Sequence, residues 1–257
     1  MPDKQLPDMT PGAGPETTPR TMPEAPAQQP SADPWRVLID TSVLAPEPLW
    51  LWTLALTDGI PDGLRPHLGV SRGVLHELRH ALRRIDPQFT RAQADRAARL
   101  RTDSLTRIDD APAAPPLHQP TGQPAHPSLH QPPRSHVLDP DDAHLDAAAL
   151  AWGADLLVTD DVHAFAPIPT EQRGYSLLTA DEFLCTLVDT HTLSVAEALP
   201  RYQHRLTRVL EETSVAASAG SPSHRLRRSR AHRFARRVVR AQRAAGDAAV
   251  SPRRAAG

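Results

Sequence analysis

The chain has 257 residues, a formal net charge of −1, 28 prolines and only 4% aromatic residues. That length allows one sizeable core, and the proline content means that part of the chain cannot pack into it. No apolar run of about 18 residues is present to span a membrane. The acidic, Pro-rich N-terminus is unlike a secretory signal, and the single cysteine, Cys185, excludes an internal disulfide and fits a reducing cytoplasm.

Residues 1–34 contain nine prolines and almost no apolar spacing, so a disordered tail is expected there. Order is expected from residue 35 to about 190. RVLID (36–40) reads as a buried strand ending on Asp40, and TSVLAPEPLWLWTLAL as a turn followed by an apolar helix with Pro46 and Pro48 near its start. The stripe Trp50, Trp52, Leu54 and Leu56 reads as core or as a dimer surface. HLGVS (67–71) reads as a second strand. In the helix RGVLHELRHALRRI that follows, Val74, Leu75, Leu78 and Leu82 have helical spacing and place Glu77 in the early turns. Residues 88–101 read as a polar helix and SLTRI as a third strand.

Residues 111–136 interrupt this order with eight prolines and a doubled LHQP, at 117–120 and 129–132. The four histidines there, His118, His126, His130 and His136, sit in Pro-rich repeats without fixed geometry. They read as part of a surface insertion rather than a metal site. Order resumes with DPDDAHLDAAALAWGADLLVTDDVHAF (139–165), a helix followed by the strand LLVT, which stops on Asp160-Asp161. YSLLTADEFLCTLV adds a strand and a helix with Thr179–Glu182 as its cap, and Cys185 reads as core. Residues 191–215 hold one more helix. The repeating strand–helix order predicts an α/β fold, a central parallel sheet between helical layers.

Parallel strands bring their carboxyl ends to one edge, where ligands bind in such sheets. Asp40, Glu77, Asp142 and Asp161 are thereby expected to converge from distant parts of the chain. Two carboxylates about 4 Å apart repel by roughly 4 kcal/mol at an effective dielectric near 20, so convergence calls for protons or a cation. Oxygen ligands without Cys or His suit Mg²⁺ or Mn²⁺ rather than zinc, the apparatus of metal-assisted phosphodiester hydrolysis. Singly, each acid has a plainer role. Asp139 and Asp141 read as helix caps, as Asp142 would if it stood alone. Glu77 alone would be a solvated helix residue, and His144 reads as a packed helix residue rather than a base.

Taken in order, D-T-S-V-L, V-x-x-E-L, D-P-D-D-x-H-L-x-x-A-A-L, G-A-D-L-L-V-T-x-D and L-L-T-x-D-E-F-L resemble a PIN domain, the nuclease fold of VapC-type toxins. The resemblance covers residues 36–190 apart from the insertion. It implies a three-layer α/β/α fold and a Mg²⁺- or Mn²⁺-dependent ribonuclease with Asp40, Glu77, Asp142 and Asp161 as the acidic quartet. Ser42 and Thr159 match small polar positions that orient acids or water. Asp160 is a further metal candidate, acting through water. The implied partners are an RNA substrate, a small antitoxin and a second copy of the chain. Two features depart from the family pattern: Asp146 stands where a small residue is frequent, and Ala164 where Asp is frequent. Two other readings stay open, a non-catalytic module that binds RNA or protein, and a DNA-directed structure-specific nuclease.

The near-zero net charge conceals an asymmetry. Residues 221–257 carry eleven Arg and one acid, a formal +10, which leaves −11 on the rest. The segment 216–257 therefore reads as a detached basic arm on an acidic body. Arg227, Arg228, Arg230, Arg233, Arg236 and Arg237 are candidate phosphate contacts, and Leu226, Phe234 and Val238 are spaced for a weakly amphipathic helix. The competing reading is that the arm pairs with the acidic body or is a solvated tail.

Overall fold

The computed structural model describes residues 33–108, 142–165, 168–169, 173–213 and 220–250. The insertion at 111–136, the caps Asp139 and Asp141 and nearly all of the N-terminal tail lie outside the described residues. Five strands form the sheet: β1 (Arg36–Ile39), β2 (His67–Ser71), β3 (Thr106–Ile108), β4 (Leu156–Val158) and β5 (Ser176–Leu178). Their order is β3-β2-β1-β4-β5, and every pairing is parallel. Strand β1 lies between β2 and β4, so the chain changes direction across the sheet on either side of it. That switch point opens a crevice at the carboxyl ends of β1 and β4.

The helices are α1 (Thr41–Leu44), α2 (Glu47–Thr57), α3 (Arg72–Ile85), α4 (Arg91–Thr102), α5 (Ala143–Trp152), α6 (Val162–Phe165), α7 (Ala180–Thr190), α8 (Val195–Thr213), α9 (Pro222–Arg228) and α10 (His232–Val250). Local chemistry sets their ends. The Ser71 hydroxyl accepts from the Val74 N–H at the start of α3, Thr90 and Gln93 form a capping box on α4, and Thr179 and Glu182 form another on α7. Gly153 closes α5 at φ 64°, a conformation that glycine adopts without penalty.

Helix α2 is buried from Pro48 through Thr57. A helix apolar on every side must be covered on every side. Trp52 stacks on Tyr202 of α8 with ring centroids 4.6 Å apart and meets Phe234 of α10 edge-on at 5.1 Å. The tryptophan stripe is therefore core of this chain rather than a dimer surface.

The same contacts correct the expectation of a detached arm. Leu226, Ala231, Phe234, Ala235 and Val238 are fully buried. The buried Arg225 pairs with Glu47, and Arg237 grips Asp189 with both terminal nitrogens at 2.6 and 2.8 Å. The apolar stripe visible in the sequence has its partner inside the chain, where burial of several large side chains, at about 1.5–3 kcal/mol each, exceeds what solvation of the arm returns. Arg237 is thus engaged by a carboxylate, whereas Arg227, Arg228, Arg230, Arg233 and Arg236 remain exposed.

Candidate active site

Asp40 follows β1 directly and serves as the N-cap of α1. Its carboxylate accepts from the Thr41 N–H through Oδ1. Through Oδ2 it accepts from the Ser42 N–H at 3.3 Å, the Ser42 hydroxyl at 2.6 Å and the Thr159 hydroxyl at 2.8 Å. Only 7% of Asp40 is exposed and Thr159 is fully buried. These donors hold the carboxylate in one orientation at the switch point.

The frame extends to both sides of Asp40. On the β2 side, the Thr41 hydroxyl donates to Glu77 Oε2 at 3.2 Å, which ties the α3 acid to the turn after β1. On the β4 side, Thr159 Oγ1 accepts from the Asp161 N–H at 3.0 Å, and Ser42 Oγ accepts from the Asp160 N–H at 3.0 Å. Two hydroxyls on neighbouring loops thus set the backbone of both acids after β4. Ser42 and Thr159, the small polar positions that the sequence resemblance singles out, both donate to Asp40. The role of Thr41 was not anticipated, and its position after the strand-ending Asp40 was the only available sign of it.

The adjacent acids differ in their surroundings. Asp160 turns inward, and its Oδ1 accepts from the Ala180 N–H at 3.0 Å, pinning the β4 loop to the start of α7. Burial pushes its carboxyl above the usual range. The Ala180 N–H and the charge of Arg230 oppose that rise, while Asp40 and Asp181 add to it. Asp161 is exposed, and its carboxylate has no hydrogen-bond partner among the described residues.

Asp142 occupies the N-cap position of α5 without bonding its side chain to the helix N–H groups. An isolated capping residue would make that bond. His144, two residues on, packs over Gly73 of α3 so closely that a Cβ there would come within 2.2 Å of the imidazole. Its Nε2 lies 3.9 Å from Glu77 Oε1. This contact sets the first turn of α5, with Asp142, beside the early turns of α3, with Glu77. It also accounts for His144 as the packing residue expected from the sequence. Asp146 accepts a 2.6 Å hydrogen bond from the Tyr175 hydroxyl, whose pKa is raised by burial and by that acceptor, so Asp146 has a partner away from Asp40. Ala164 and Cys185 are buried.

An oxygen-only donor set suits Mg²⁺ or Mn²⁺ in kind. Among the described residues, however, no three His, Cys, Asp or Glu side chains form a group that could hold one ion. The structure therefore supplies acids at a common edge and an ordered frame for them, without a closed set of ligands. Also among the described residues, no helix is long and apolar enough to cross a membrane.

Residues 36–163 match the family model described as PIN domain. No curated protein and no solved structure matches the chain. The matched span runs from β1 into α6, so the helices α7 to α10 lie outside it.

Proposed function

Residues 36–163 belong to the PIN domain family, a nuclease-type fold, and from that premise we propose that the chain is a Mg²⁺- or Mn²⁺-dependent endoribonuclease. The observation that carries this reading is the hydroxyl frame of Thr41, Ser42 and Thr159, which orders Asp40 and links it to Glu77 and to the backbone of Asp161. Purely structural capping of α1 needs only the Thr41 and Ser42 N–H groups on Asp40 and none of these bonds. A frame that joins the turns after β1 and β4 to α3 suits acids that must keep their orientation while a charged ligand arrives.

Asp40, Glu77, Asp142 and Asp161 would hold the metal, with Asp160 contributing through water. A divalent cation bound there lowers the pKa of a water molecule and neutralises charge developing on a phosphate. The protein's own groups do the positioning. Thr159 and Ser42 fix Asp40, Thr41 orients Glu77, the His144–Gly73 contact sets the start of α5 beside Glu77, and Asp160 holds the β4 loop to α7.

A type II toxin role, with a small antitoxin that masks the site, follows from the VapC-type motifs alone and is part of the same proposal. Incubating the purified protein with total RNA, with Mn²⁺ or with EDTA, and mapping new ends tests the activity. We expect cleavage with Mn²⁺ and none with EDTA. The scattered acids among the described residues favour a second reading, a PIN module that binds RNA without cutting it. Intact RNA in the presence of Mn²⁺, together with retained binding, would select that reading. Digestion of single-stranded DNA in place of RNA would select a DNA-directed enzyme.

A further inference from the structure

Ser42 and Asp160, both part of the hydroxyl frame, also line a cavity of about 650 Å³ beside α2, α3, α4, α8 and α9. That size suits a nucleotide-sized ligand. Its lining divides by chemistry. Leu82, Ile85 and Phe89 form an apolar stretch at the end of α3, where Ile85 is 60% exposed. Arg101, Arg228 and Arg230 supply cations.

Arg101 is the least expected of these residues. It is 5% exposed, donates through Nε to the Leu44 carbonyl and through Nη1 to the Ala97 carbonyl, both at 3.0 Å, and lies 5.0 Å from the Trp50 ring centroid. Among the described residues its Nη2 has no acceptor and no carboxylate pairs with it. Burial pushes its pKa down to about 9, so it remains cationic at neutral pH. A buried cation without an anion is unfavourable, and a phosphate matches the planar guanidinium.

Arg228 and Arg230 are exposed and form no ion pair among the described residues. Arg230 sits in the α9–α10 turn at φ 62°, the left-handed residue of a helix C-cap in which the Ala231 N–H donates to the Leu226 carbonyl and the Arg230 N–H to the Arg227 carbonyl. Asp181 accepts from the N–H groups of Arg233 and Phe234 at 2.9 and 2.8 Å and so ties α10 to α7. Ala180, the residue before Asp181, donates to Asp160. The turn bearing Arg230 is thereby registered against the loop that carries the active-site acids. Of the carboxylates in the lining, Glu47 is paired with Arg225, Asp86 accepts from the Gln88 N–H, and Asp160 accepts from the Ala180 N–H and feels the charge of Arg230.

We infer that this cavity is a groove for single-stranded RNA leading to the acidic edge, with Arg101, Arg228 and Arg230 on its phosphates and the Leu82–Ile85–Phe89 wall under a base. A single strand is required because the base must leave its pair to reach an apolar wall. The inference rests on the ribonuclease reading for the identity of the polynucleotide, and a separate measurement tests it.

The probe is fluorescent oligo(U), followed by anisotropy in EDTA with the full chain carrying Asp142→Asn so that no cleavage intervenes. Adding Arg228→Ala and Arg230→Ala should weaken binding about tenfold, and should lower the slope of log affinity against log salt by roughly 1.4, about 0.7 per phosphate contact on a single strand. Arg101→Lys, which keeps the charge and loses the fork, should weaken binding with the melting temperature retained. If that variant fails to fold, the exposed pair decides. Arg240→Ala with Arg243→Ala, two exposed residues outside the cavity, should change neither affinity nor slope.

An unchanged affinity after loss of Arg228 and Arg230, an equal loss from the Arg240 and Arg243 pair, or no oligo(U) binding by the parent would overturn the groove. Binding that depends on Arg228 and Arg230 in a protein that leaves total RNA intact with Mn²⁺ would sustain the groove and remove the cleavage reading. Cleavage that persists while the Arg228 and Arg230 variant binds normally would do the reverse.

Discussion

Asp40 and Arg225 are both buried charges, 7% and 5% exposed, and the two regions that hold them treat charge differently. At the sheet edge Asp40 is surrounded by neutral donors, two backbone N–H groups and two hydroxyls. Neutral donors orient a carboxylate without cancelling its charge, so the edge keeps a negative field that a cation can answer. In the C-terminal helices, buried or half-buried arginines meet carboxylates, Arg225 with Glu47 and Arg237 with Asp189. Those pairs cancel charge and fasten a layer. Arg101 belongs to neither pattern, being a buried cation whose partners among the described residues are carbonyls and a ring. For that reason it points to a ligand.

The largest expected effect bears on the open charge at the edge. Asp142→Asn should abolish Mg²⁺-dependent cleavage with an unchanged circular dichroism spectrum, since several kcal/mol of transition-state stabilisation corresponds to a rate loss on the order of 100-fold or more. Full activity in the folded variant would remove the catalytic claim. Within the adjacent pair, Asp161→Asn should cost more activity than Asp160→Asn, and Asp160→Asn should lower the melting temperature more. The opposite order would make the inward-facing acid the ligand.

The next effect bears on the fastened layer. Phe234→Ala removes a fully buried ring that packs on Trp52 and should destabilise the fold by about 3–5 kcal/mol in a denaturant titration. A change below about 1 kcal/mol would mean that α10 is docked only weakly. Thr159→Val keeps the volume but removes the hydroxyl that donates to Asp40 and accepts from the Asp161 N–H. It should cost about 1–3 kcal/mol and depress activity further, since the acids lose their orientation. Activity equal to the parent's would show that the frame is structural only.

The smallest effect is a surface one. Arg237→Ala should cost under about 1 kcal/mol, because Asp189 is largely exposed. The hydrogen bonds from Arg237 hold the Asp189 carboxyl below its usual value. A carboxyl depressed in the folded state contributes stability above its unfolded pKa and loses it as pH falls through the folded pKa. The difference between variant and parent should therefore be complete near neutrality and vanish in acid. A difference that persisted at low pH would mean that Arg237 acts through packing of its aliphatic stem.

Much of the architecture was legible in residue order. Val37 to Ile39 and Leu156 to Val158 are short apolar runs ending on acids, the 3.6-residue spacing of α3 spans its observed bounds, and the Thr179–Glu182 capping box starts α7 where its chemistry requires. These features depend on neighbours within a few residues, and so they can be read from the chain. The acids at the strand ends were legible for the same reason, because a parallel sheet brings such ends together whatever lies between them.

Tertiary structure decided what depends on contact between distant segments. An isolated Asp160-Asp161 pair does not reveal that one acid bonds Ala180 while the other faces solvent, because Ala180 arrives from another element. The Arg-rich segment carried a large formal charge and an apolar stripe at once, and the sequence offered no means of weighing them. Burial of Leu226, Phe234 and Val238 in the core outweighed solvation of the charge, since apolar burial adds up residue by residue while exposed charge remains in water. Composition alone determined that a basic segment and an acidic edge exist. Packing determined that they lie side by side.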